Sequence, residues 1–440
     1  MKLIGIICEY NPFHKGHEAH IDFTRTILCK NSDNNILQDC DKGVSAAHKR
    51  QLSASGAYSD VSDRAENCPL RDDQASLAQS IVCVMSGNFC QRGDAAIADK
   101  YSRAAAAIHA GADAVIELPP FFACCNAQVF ARGAVRLLAG IEGFSALSFG
   151  SECGDIETLK RAAEILDNES PEFKKTLKEK LDSGAGYPQS LAAALGDKEL
   201  SKIIKEPNNI LAVEYIRALK EFAPYAASIT LKRLGAGYKD DESADGYISA
   251  QGIRRLINEN KATEAAENVP GHARDIIDEA VKHPVNYAAL YALLRQKIND
   301  LSIEELREFA DVTEGLEYRL KEKAVISGTY EEFFAAVRSK RYTDSRIRRI
   351  FTAILTEITK NDVSKAFSLP PYYNVLAVKK GRTDILSVLP NAYVRNSDYR
   401  EISDPRLSRL IKIHARCDDV YSILTGRPLD SFYKIGVKKV

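Results

Sequence analysis

Residues 3–17, LIGIICEYNPFHKGH, decide the fold of this chain. Their apolar half, residues 3–8, predicts a buried β-strand. The apolar spacing of residues 17–28 predicts a helix directly after it. A strand that passes through a short polar loop into a helix is the opening unit of an α/β sheet, so we expect further units of the same kind.

The alternation of strands and helices continues through the first half of the chain. Further strands are predicted at residues 81–85, 112–118, 146–149 and 229–234, with helical patterns between them. Such alternation implies a parallel sheet covered on both faces, of the Rossmann-like α/β class. Ligands of these sheets bind beyond the carboxyl ends of the strands, where residues 9–17 lie.

Two segments depart from this pattern. Residues 30–79 are rich in Ser, Asp, Asn and Ala and carry almost no apolar periodicity, which predicts a flexible insertion. From residue 261 the chain is strongly charged and helical in pattern, with one possible strand at residues 372–378. We therefore predict a catalytic domain over residues 1–260 and a mostly helical domain over residues 261–440.

Composition limits the class of protein. Lys and Arg together number 60, as do Asp and Glu, so any nucleic-acid surface must be local. No apolar run reaches 18 residues, so no membrane span is expected. The ten cysteines form no C-x-x-C pair, which favours buried thiols in a reducing cytoplasm over disulfides or a zinc site.

The strongest local motif is His14-Lys15-Gly16-His17 at a predicted helix start. Free backbone N–H groups and the helix dipole suit phosphate there, and Gly16 permits close approach of a nucleotide. Histidines three residues apart can face the same side and stabilise charge in phosphoryl transfer. In isolation, the same string would be typical of two helix-cap histidines.

A second motif changes that balance. ISAQGIR, residues 248–254, follows the last predicted strand of the sheet and opens another helix. Ser249 can cap this helix, and Arg254 can bind phosphate oxygens in a bidentate manner. The alternative is an ordinary helix start with a solvated arginine, which the pairing with the histidine motif makes less favoured.

Together the two motifs resemble the signatures of the nucleotidylyltransferase superfamily. A wider set of motifs occurs in the order GIICEYNPFHKGHEAH, VMSGNFCQRGDAAIADKYSRA, GADAVIELP, FGSECGDI, GYP, EPNNILAVEY, ITLKRLGAGY, ISAQGIR, KRYTDSRIRRI and GRPLD. Over residues 1–29 and 80–440, this set is similar to the family of bacterial tRNA(Met) cytidine acetate ligases. Lys15 and the pair Gln251-Gly252 depart from the family's usual residues, which puts a hydroxyl role at Gln251-Gly252 in doubt.

The resemblance implies a reaction in two steps. ATP activates acetate to acetyl-AMP, and the acetyl group then moves to N4 of the wobble cytidine of elongator tRNA(Met). Magnesium is expected to accompany ATP, with no all-protein metal cage. The catalytic residues implied are His14, His17 and Arg254. The ATP site implied comprises Ile7, Cys8, Glu9, Tyr10, Asn11, Pro12, Phe13, His14, Lys15, Gly16, His17, His20, Gly150, Asn208, Arg233 and Ser249.

On the residues alone, alternatives stay open for part of this set. Gly150 could be only a turn, Asn208 a helix N-cap, and Arg233 a surface charge. The loop 86–93, SGNFCQRG, lies at the carboxyl end of a strand and is a candidate lining of the acetyl or cytidine pocket.

A basic stretch supplies the candidate RNA surface. Six cations fall within twelve residues against one acid, Asp344, and Tyr342 interrupts them. They are Arg338, Lys340, Arg341, Arg346, Arg348 and Arg349. On a helix they would form a dense patch for phosphate contacts and base stacking, although a charge run is usually a solvated face.

Two other functions compete with this interpretation. A nucleotidyltransferase acting on a small molecule would share the histidine motif, but the C-terminal basic stretch argues against it. A non-catalytic RNA-binding protein of the same fold would not need His14, His17 and Arg254 intact.

Overall fold

A computed structural model describes residues 2–30, 79–233, 248–313, 315–339, 342–393, 396–429 and 431–440. The predicted insertion at residues 30–79 therefore lies almost wholly outside the described residues. Eight strands form one sheet. They are β1 (Lys2–Cys8), β2 (Gln79–Ser86), β3 (Ala114–Leu118), β4 (Phe144–Ser151), β5 (Ala227–Lys232), β6 (Tyr373–Val378), β7 (Ala392–Tyr393) and β8 (Lys438–Lys439).

The sheet order is β5-β4-β1-β2-β3-β6-β7, with β8 beside β6. Strands β1 to β5 are parallel to one another, whereas β6 is antiparallel to β3. The predicted Rossmann-like parallel sheet is thus confirmed. The chain moves from β1 to β2 and β3 on one side, then returns to β4 on the other side of β1. Ligands of α/β sheets bind at such a switch point. Because the histidine motif directly follows β1, it lies at this point.

Helices cover both faces of the sheet and form most of the chain after residue 250. The first ten are α1 (Lys15–Lys30), α2 (Lys100–His109), α3 (Pro120–Ala123), α4 (Ala127–Ala139), α5 (Ile156–Asp167), α6 (Pro171–Asp182), α7 (Tyr187–Ala194), α8 (Lys198–Ile203), α9 (Pro207–Phe222) and α10 (Ala250–Asn258). The next ten are α11 (Ala262–Glu267), α12 (Asp275–Lys282), α13 (Tyr287–Asp300), α14 (Ile303–Glu308), α15 (Leu316–Ile326), α16 (Tyr330–Val337), α17 (Asp344–Thr356), α18 (Lys360–Ser368), α19 (Pro405–Thr425) and α20 (Ser431–Lys434). Short 3-10 helices span Gly271–Ala273, Thr383–Val388 and Asn396–Glu401.

The central strands are apolar on both sides because both faces of the sheet are covered. On β1, Leu3 and Ile7 pack into one core cluster, whereas Ile4 and Ile6 pack into the other. Both sets are almost fully buried. This double burial explains why β1 reads as a continuous apolar run, as buried parallel strands do, and not as an alternating one.

The chain after residue 260 contributes to the same sheet. Strand β6 pairs with β3, and Asp418 of α19 lies 2.6 Å from the ammonium of Lys100 in α2. The predicted boundary near residue 260 therefore does not separate two sheets, and the functional division between the two segments stays a prediction. As predicted, the second segment is mostly helical.

Two further findings concern the described part of the chain. None of its helices is both long enough and apolar enough to cross a membrane. Its eight cysteines are free thiols, most of them buried, as the scattered spacing predicts.

Candidate functional site

The histidine motif lies at the carboxyl end of β1, where α1 begins. His17 and Glu18 donate their backbone N–H groups to the carbonyl of His14, which closes the first turn of α1. Tyr10 and Phe13 are buried and pack edge to face at 4.8 Å, so aromatic packing fixes the loop between strand and helix.

His14 and His17 stack, with ring centroids 3.7 Å apart and planes at 26°. The backbone N–H of Gly16 donates to Nδ1 of His14 at 3.0 Å, and the N–H of His14 donates to Nδ1 of His17 at 3.3 Å. Because each Nδ1 accepts a hydrogen bond, each neutral ring carries its proton on Nε2. A Cβ at residue 16 would lie 2.9 Å from Cε1 of His14, so this arrangement needs glycine. The motif therefore presents two adjacent N–H donors.

The electrostatics of the site favour an anionic ligand. Burial and the charges of Arg233 and Arg254 lower the pKa of His14 to about 3. Burial and the charge of Arg233 lower the pKa of His20 to about 4, and burial also holds the pKa of His17 well below its usual range. The three rings are thus neutral at pH 7, in a field set by two guanidinium groups. Such a site suits the phosphates of a nucleotide.

The second motif meets the first directly. Nη1 of Arg254 donates to the carbonyl of Asn11 at 2.5 Å, so α10 is joined to the loop after β1. Ser249 caps α10, as expected, by accepting the N–H of Gly252 at 3.1 Å. A Cβ at Gly252 would lie 2.4 Å from Ile248, which explains a glycine at this position.

Gly150 and Arg233 are neighbours at the ends of β4 and β5. The N–H of Arg233 donates to the carbonyl of Ser151 at 2.9 Å, and a Cβ at Gly150 would lie 3.2 Å from Cγ of Arg233. Gly150 thus leaves room for the side chain of Arg233, so its role goes beyond that of a turn residue. The strand ends bring Arg233 to the same edge of the sheet as His14.

Asn208 has a partner, Glu152, that sequence reasoning missed. Its Nδ2 donates to Oε1 of Glu152 at 2.6 Å, and the other carboxylate oxygen accepts the N–H of Asn209 at 2.8 Å. Glu152 therefore holds the start of α9 against the end of β4. Its place directly after a strand, in FGSECGDI, was the signal available in the sequence.

The remaining predicted residues shape the loop or line its rim. Oε1 of Glu9 accepts the N–H of Gln91 at 2.5 Å, which ties the loop after β1 to the loop after β2. Nε2 of His20 lies 2.9 Å from Oγ of Ser148 on β4. Lys15 is exposed at the rim. The others, packed within or beside the loop, are Ile7, Cys8 and Pro12.

Arg103, which the sequence analysis did not single out, holds two of these loops from below. It is fully buried, and its guanidinium donates to the carbonyls of Glu9, Ser86 and Gly87. Carbonyl groups at strand ends need such donors, because the parallel ladder stops there. Arg103 thus positions the loops after β1 and β2 from within the core.

A buried ionic network lies beneath the loop after β2. The ammonium of Lys100 lies 2.8 Å from Glu117 and 2.6 Å from Asp418, and all three side chains are at most 2 % exposed. Burial alone would lower the pKa of Lys100, but the two carboxylates raise it. Asn88, within the loop, donates to Asp418 at 2.9 Å. The loop is therefore anchored to helix α19.

The prediction that one helix carries the basic stretch is wrong. Arg338 follows the end of α16 and lies 2.8 Å from Asp344, whereas Arg346, Arg348 and Arg349 belong to α17. A bridge between Ser339 and Tyr342 breaks the two helices, and Lys340 and Arg341 lie outside the described residues.

Several of these cations have partners within the chain. Arg349 is 9 % exposed and binds Asp311 at 2.5 Å, and Arg346 donates to the carbonyl of Asp311. Arg348 lies 3.0 Å from Asp94, within the loop after β2. Carboxylates distant in sequence therefore pair with two of the six predicted cations, and a distant backbone carbonyl binds a third.

Known proteins resemble this chain over most of its length. A family model described as HIGH Nucleotidyl Transferase matches residues 1–34 and 71–432. The tRNA(Met) cytidine acetate ligase of Acetivibrio thermocellus is 33 % identical to this chain, over 99 % of this chain and 98 % of that protein.

Two crystal structures of Thermotoga maritima TmcAL resemble the whole fold. The apo form is 28 % identical, with a TM-score of 0.81, and the form bound with alpha-thio ATP is 26 % identical, with a TM-score of 0.80. Each match covers 100 % of both chains.

Proposed function

Since this chain belongs to the tRNA(Met) cytidine acetate ligases within the HIGH nucleotidyl transferase family, we propose that it activates acetate with ATP and transfers the acetyl group to tRNA. The acceptor is N4 of the wobble cytidine of elongator tRNA(Met), which then becomes N4-acetylcytidine. The relatives' names and the likeness to an ATP-analogue complex support this proposal.

The stacked His14–His17 pair is the observation that carries the first step. An acetate oxygen attacks the α-phosphorus of ATP, the bond to the bridging oxygen breaks, and pyrophosphate leaves with the electron pair. The two Nε2–H donors and the guanidinium groups of Arg233 and Arg254 face this growing charge. Because the histidines are neutral and fixed by backbone N–H groups, they need no reorganisation during the step.

Magnesium would enter this site bound to the phosphates of ATP. Among the residues that the structure describes, no group of three His, Cys, Asp or Glu side chains could hold a metal ion. Mg²⁺ prefers oxygen ligands, and the triphosphate supplies them. The chain's own cations would then share the charge of the phosphates with the metal.

The second step takes place at the acetyl carbonyl carbon of acetyl-AMP. The N4 amine of cytidine attacks the acetyl carbon of acetyl-AMP, the bond to the phosphate oxygen breaks, and AMP leaves. A polyanionic tRNA must be held while one base is brought to the acetyl-AMP. Arg338, whose side chain is 59 % exposed, is a candidate phosphate contact, and Arg346, Arg348 and Arg349 are candidates only if RNA competes with their internal partners.

The decisive experiment separates the two half-reactions. Labelled pyrophosphate should exchange into ATP when acetate is present and not when it is omitted, and labelled acetate should then appear on tRNA(Met) without acetyl-CoA. Exchange that ignores acetate, with AMP transferred to a small phosphate ester, would favour the small-molecule nucleotidyltransferase. RNA binding without any exchange would favour the non-catalytic alternative.

A further inference from the structure

A wall of charged and aromatic side chains extends from the site onto the helical segment. Oδ1 of Asp94 lies 3.0 Å from Nε of Arg348, whose guanidinium lies 5.5 Å from the ring centroid of Phe334. Phe334 stacks on Tyr330 at 6.0 Å, and Tyr330 lies 5.0 Å from Tyr287, measured between ring centroids. We call these five residues the acceptor wall.

The acceptor wall is connected to the histidine motif through the loops after β1 and β2. Asp94 lies in the loop between β2 and α2, and the N–H of Gln91 in the same loop donates to Glu9 in the loop after β1. Arg254 binds the carbonyl of Asn11 in that loop, and its charge also acts on Asp94 and on Tyr287. The carboxylate therefore lies between the candidate ATP site and the exposed aromatic surface.

Tertiary packing fixes the position of this carboxylate. Gly93 has φ +81°, and a Cβ there would lie 2.3 Å from the backbone nitrogen of Arg349 in α17. Thr352, one turn further along α17, donates its hydroxyl to the carbonyl of Gly93 at 2.7 Å. The loop is thus seated against the helix backbone, and a preorganised group of this kind suits a functional contact.

We propose that the acceptor wall is the subsite for the nucleobase that receives the acetyl group. Asp94 accepts a hydrogen bond from the exocyclic amine, and Tyr287, supported by Tyr330, stacks on the base. This assignment rests on the proposed function and names the acceptor residues of that function.

The chemistry of cytosine matches the carboxylate. Asp and Glu accept from the N4 amine of cytosine, whereas uracil offers a carbonyl oxygen at that position. The contact with Arg348 uses Oδ1, and a carboxylate has further lone pairs to accept an N–H. As the N4–carbon bond forms and AMP leaves with the electron pair of the broken carbon–oxygen bond, Asp94 takes the proton that N4 loses and passes it to solvent.

The surroundings of Asp94 support that proton transfer. Burial raises the pKa of Asp94, although the charges of Arg348, Arg254 and Arg92 oppose the rise. A raised pKa makes the carboxylate a better proton acceptor. Its side chain is still 30 % exposed, which gives the proton a path to water.

The aromatic half of the wall suits a base that has left its stack. Tyr287 is 44 % exposed, so its ring is accessible to a base. Aromatic side chains bind single-stranded bases by stacking, and Arg348 adds positive charge beside the ring. A nucleobase of a polyanion fits this mixture of ring and cation better than an apolar peptide does.

The test measures acetyl transfer and acetate-dependent exchange on the same variants. Asp94→Asn should lower transfer by roughly 100-fold and exchange by much less. Tyr287→Ala should raise KM for tRNA by roughly tenfold or more. Tyr287→Phe keeps the ring, so its KM for tRNA should stay near that of the parent protein. Asp167→Asn is the matched control, because Asp167 pairs with Arg217 at 2.9 Å and is 23 % exposed on a remote face.

The outcomes show whether Asp94 and Tyr287 serve the acceptor base. If Asp94→Asn gives the same ratio of transfer to exchange as Asp167→Asn, the carboxylate does not serve the acceptor. If Tyr287→Phe is as impaired as Tyr287→Ala, stacking is not the function of the ring. An unaltered protein without acetate-dependent exchange would instead remove the proposed function, and the subsite with it.

Discussion

Substituting His14 in two ways separates its two nitrogen atoms. His14→Asn keeps an acceptor where Nδ1 accepts the N–H of Gly16 but removes the Nε2–H donor. His14→Gln places an amide N–H near the Nε2 position and loses the Nδ1 acceptor. If Nε2–H stabilises the departing pyrophosphate, the asparagine variant should be the more damaged of the two.

The expected magnitudes follow from the loss of one preorganised donor. Removing such a donor costs about 10²- to 10³-fold in kcat, or about 3–4 kcal/mol. We expect this loss for His14→Asn, and about tenfold, or about 1.4 kcal/mol, for His14→Gln. Because His14 is 7 % exposed and stacked on His17, circular dichroism must show that both variants are folded.

The assay is acetate-dependent exchange of pyrophosphate into ATP under saturating ATP. His109→Asn is the matched control, because His109 is exposed on α2. A folded His14→Asn variant that exchanges pyrophosphate at nearly the parental rate, or that is more active than His14→Gln, would refute a donor role for Nε2.

The other predictions concern stability and segment function. Because the three site histidines have pKa values well below the unfolded value of about 6.5, their rings take up protons on unfolding below that pH. Their contribution to the free energy of unfolding is therefore complete above about pH 6.5 and is lost on acidification by up to about 1.4 kcal/mol per pH unit for each ring. Denaturant unfolding from about pH 7 to about pH 5 should show this loss, and His14→Asn should reduce the slope of the free energy of unfolding against pH. Lys100→Met leaves two buried carboxylates without their ammonium group and should lower the free energy of unfolding by about 3–5 kcal/mol, unlike the surface control Lys160→Met. Arg349→Ala should destabilise the fold by a similar amount, about 3 kcal/mol, because it strands Asp311, so weaker tRNA binding by this variant would not by itself place RNA there. Replacing residues 31–78 with a short Gly/Ser linker should leave acetate-dependent exchange intact, and loss of exchange in a folded variant would contradict this.

The sequence by itself determined the opening unit of the fold and the first site. The continuous apolar run of β1 and the glycine between two histidines are local features, because burial and helix geometry act over a few residues. Ser249 could also be predicted as a cap, since capping joins residues three apart. The family resemblance extended this to Gly150, Asn208 and Arg233, which no local rule would have chosen.

Only the tertiary structure decided which charges are available. Arg348 and Arg349 form part of a dense basic run in sequence, yet Asp94 and Asp311, remote along the chain, lie within 3.0 Å of them. Lys100 likewise becomes a fully buried anchor because α19 brings Asp418 to it across more than 300 residues. Ion pairs depend on distance in space and on burial, neither of which is encoded in local spacing. For the same reason β6 could be predicted as a strand, whereas its antiparallel place beside β3 could not.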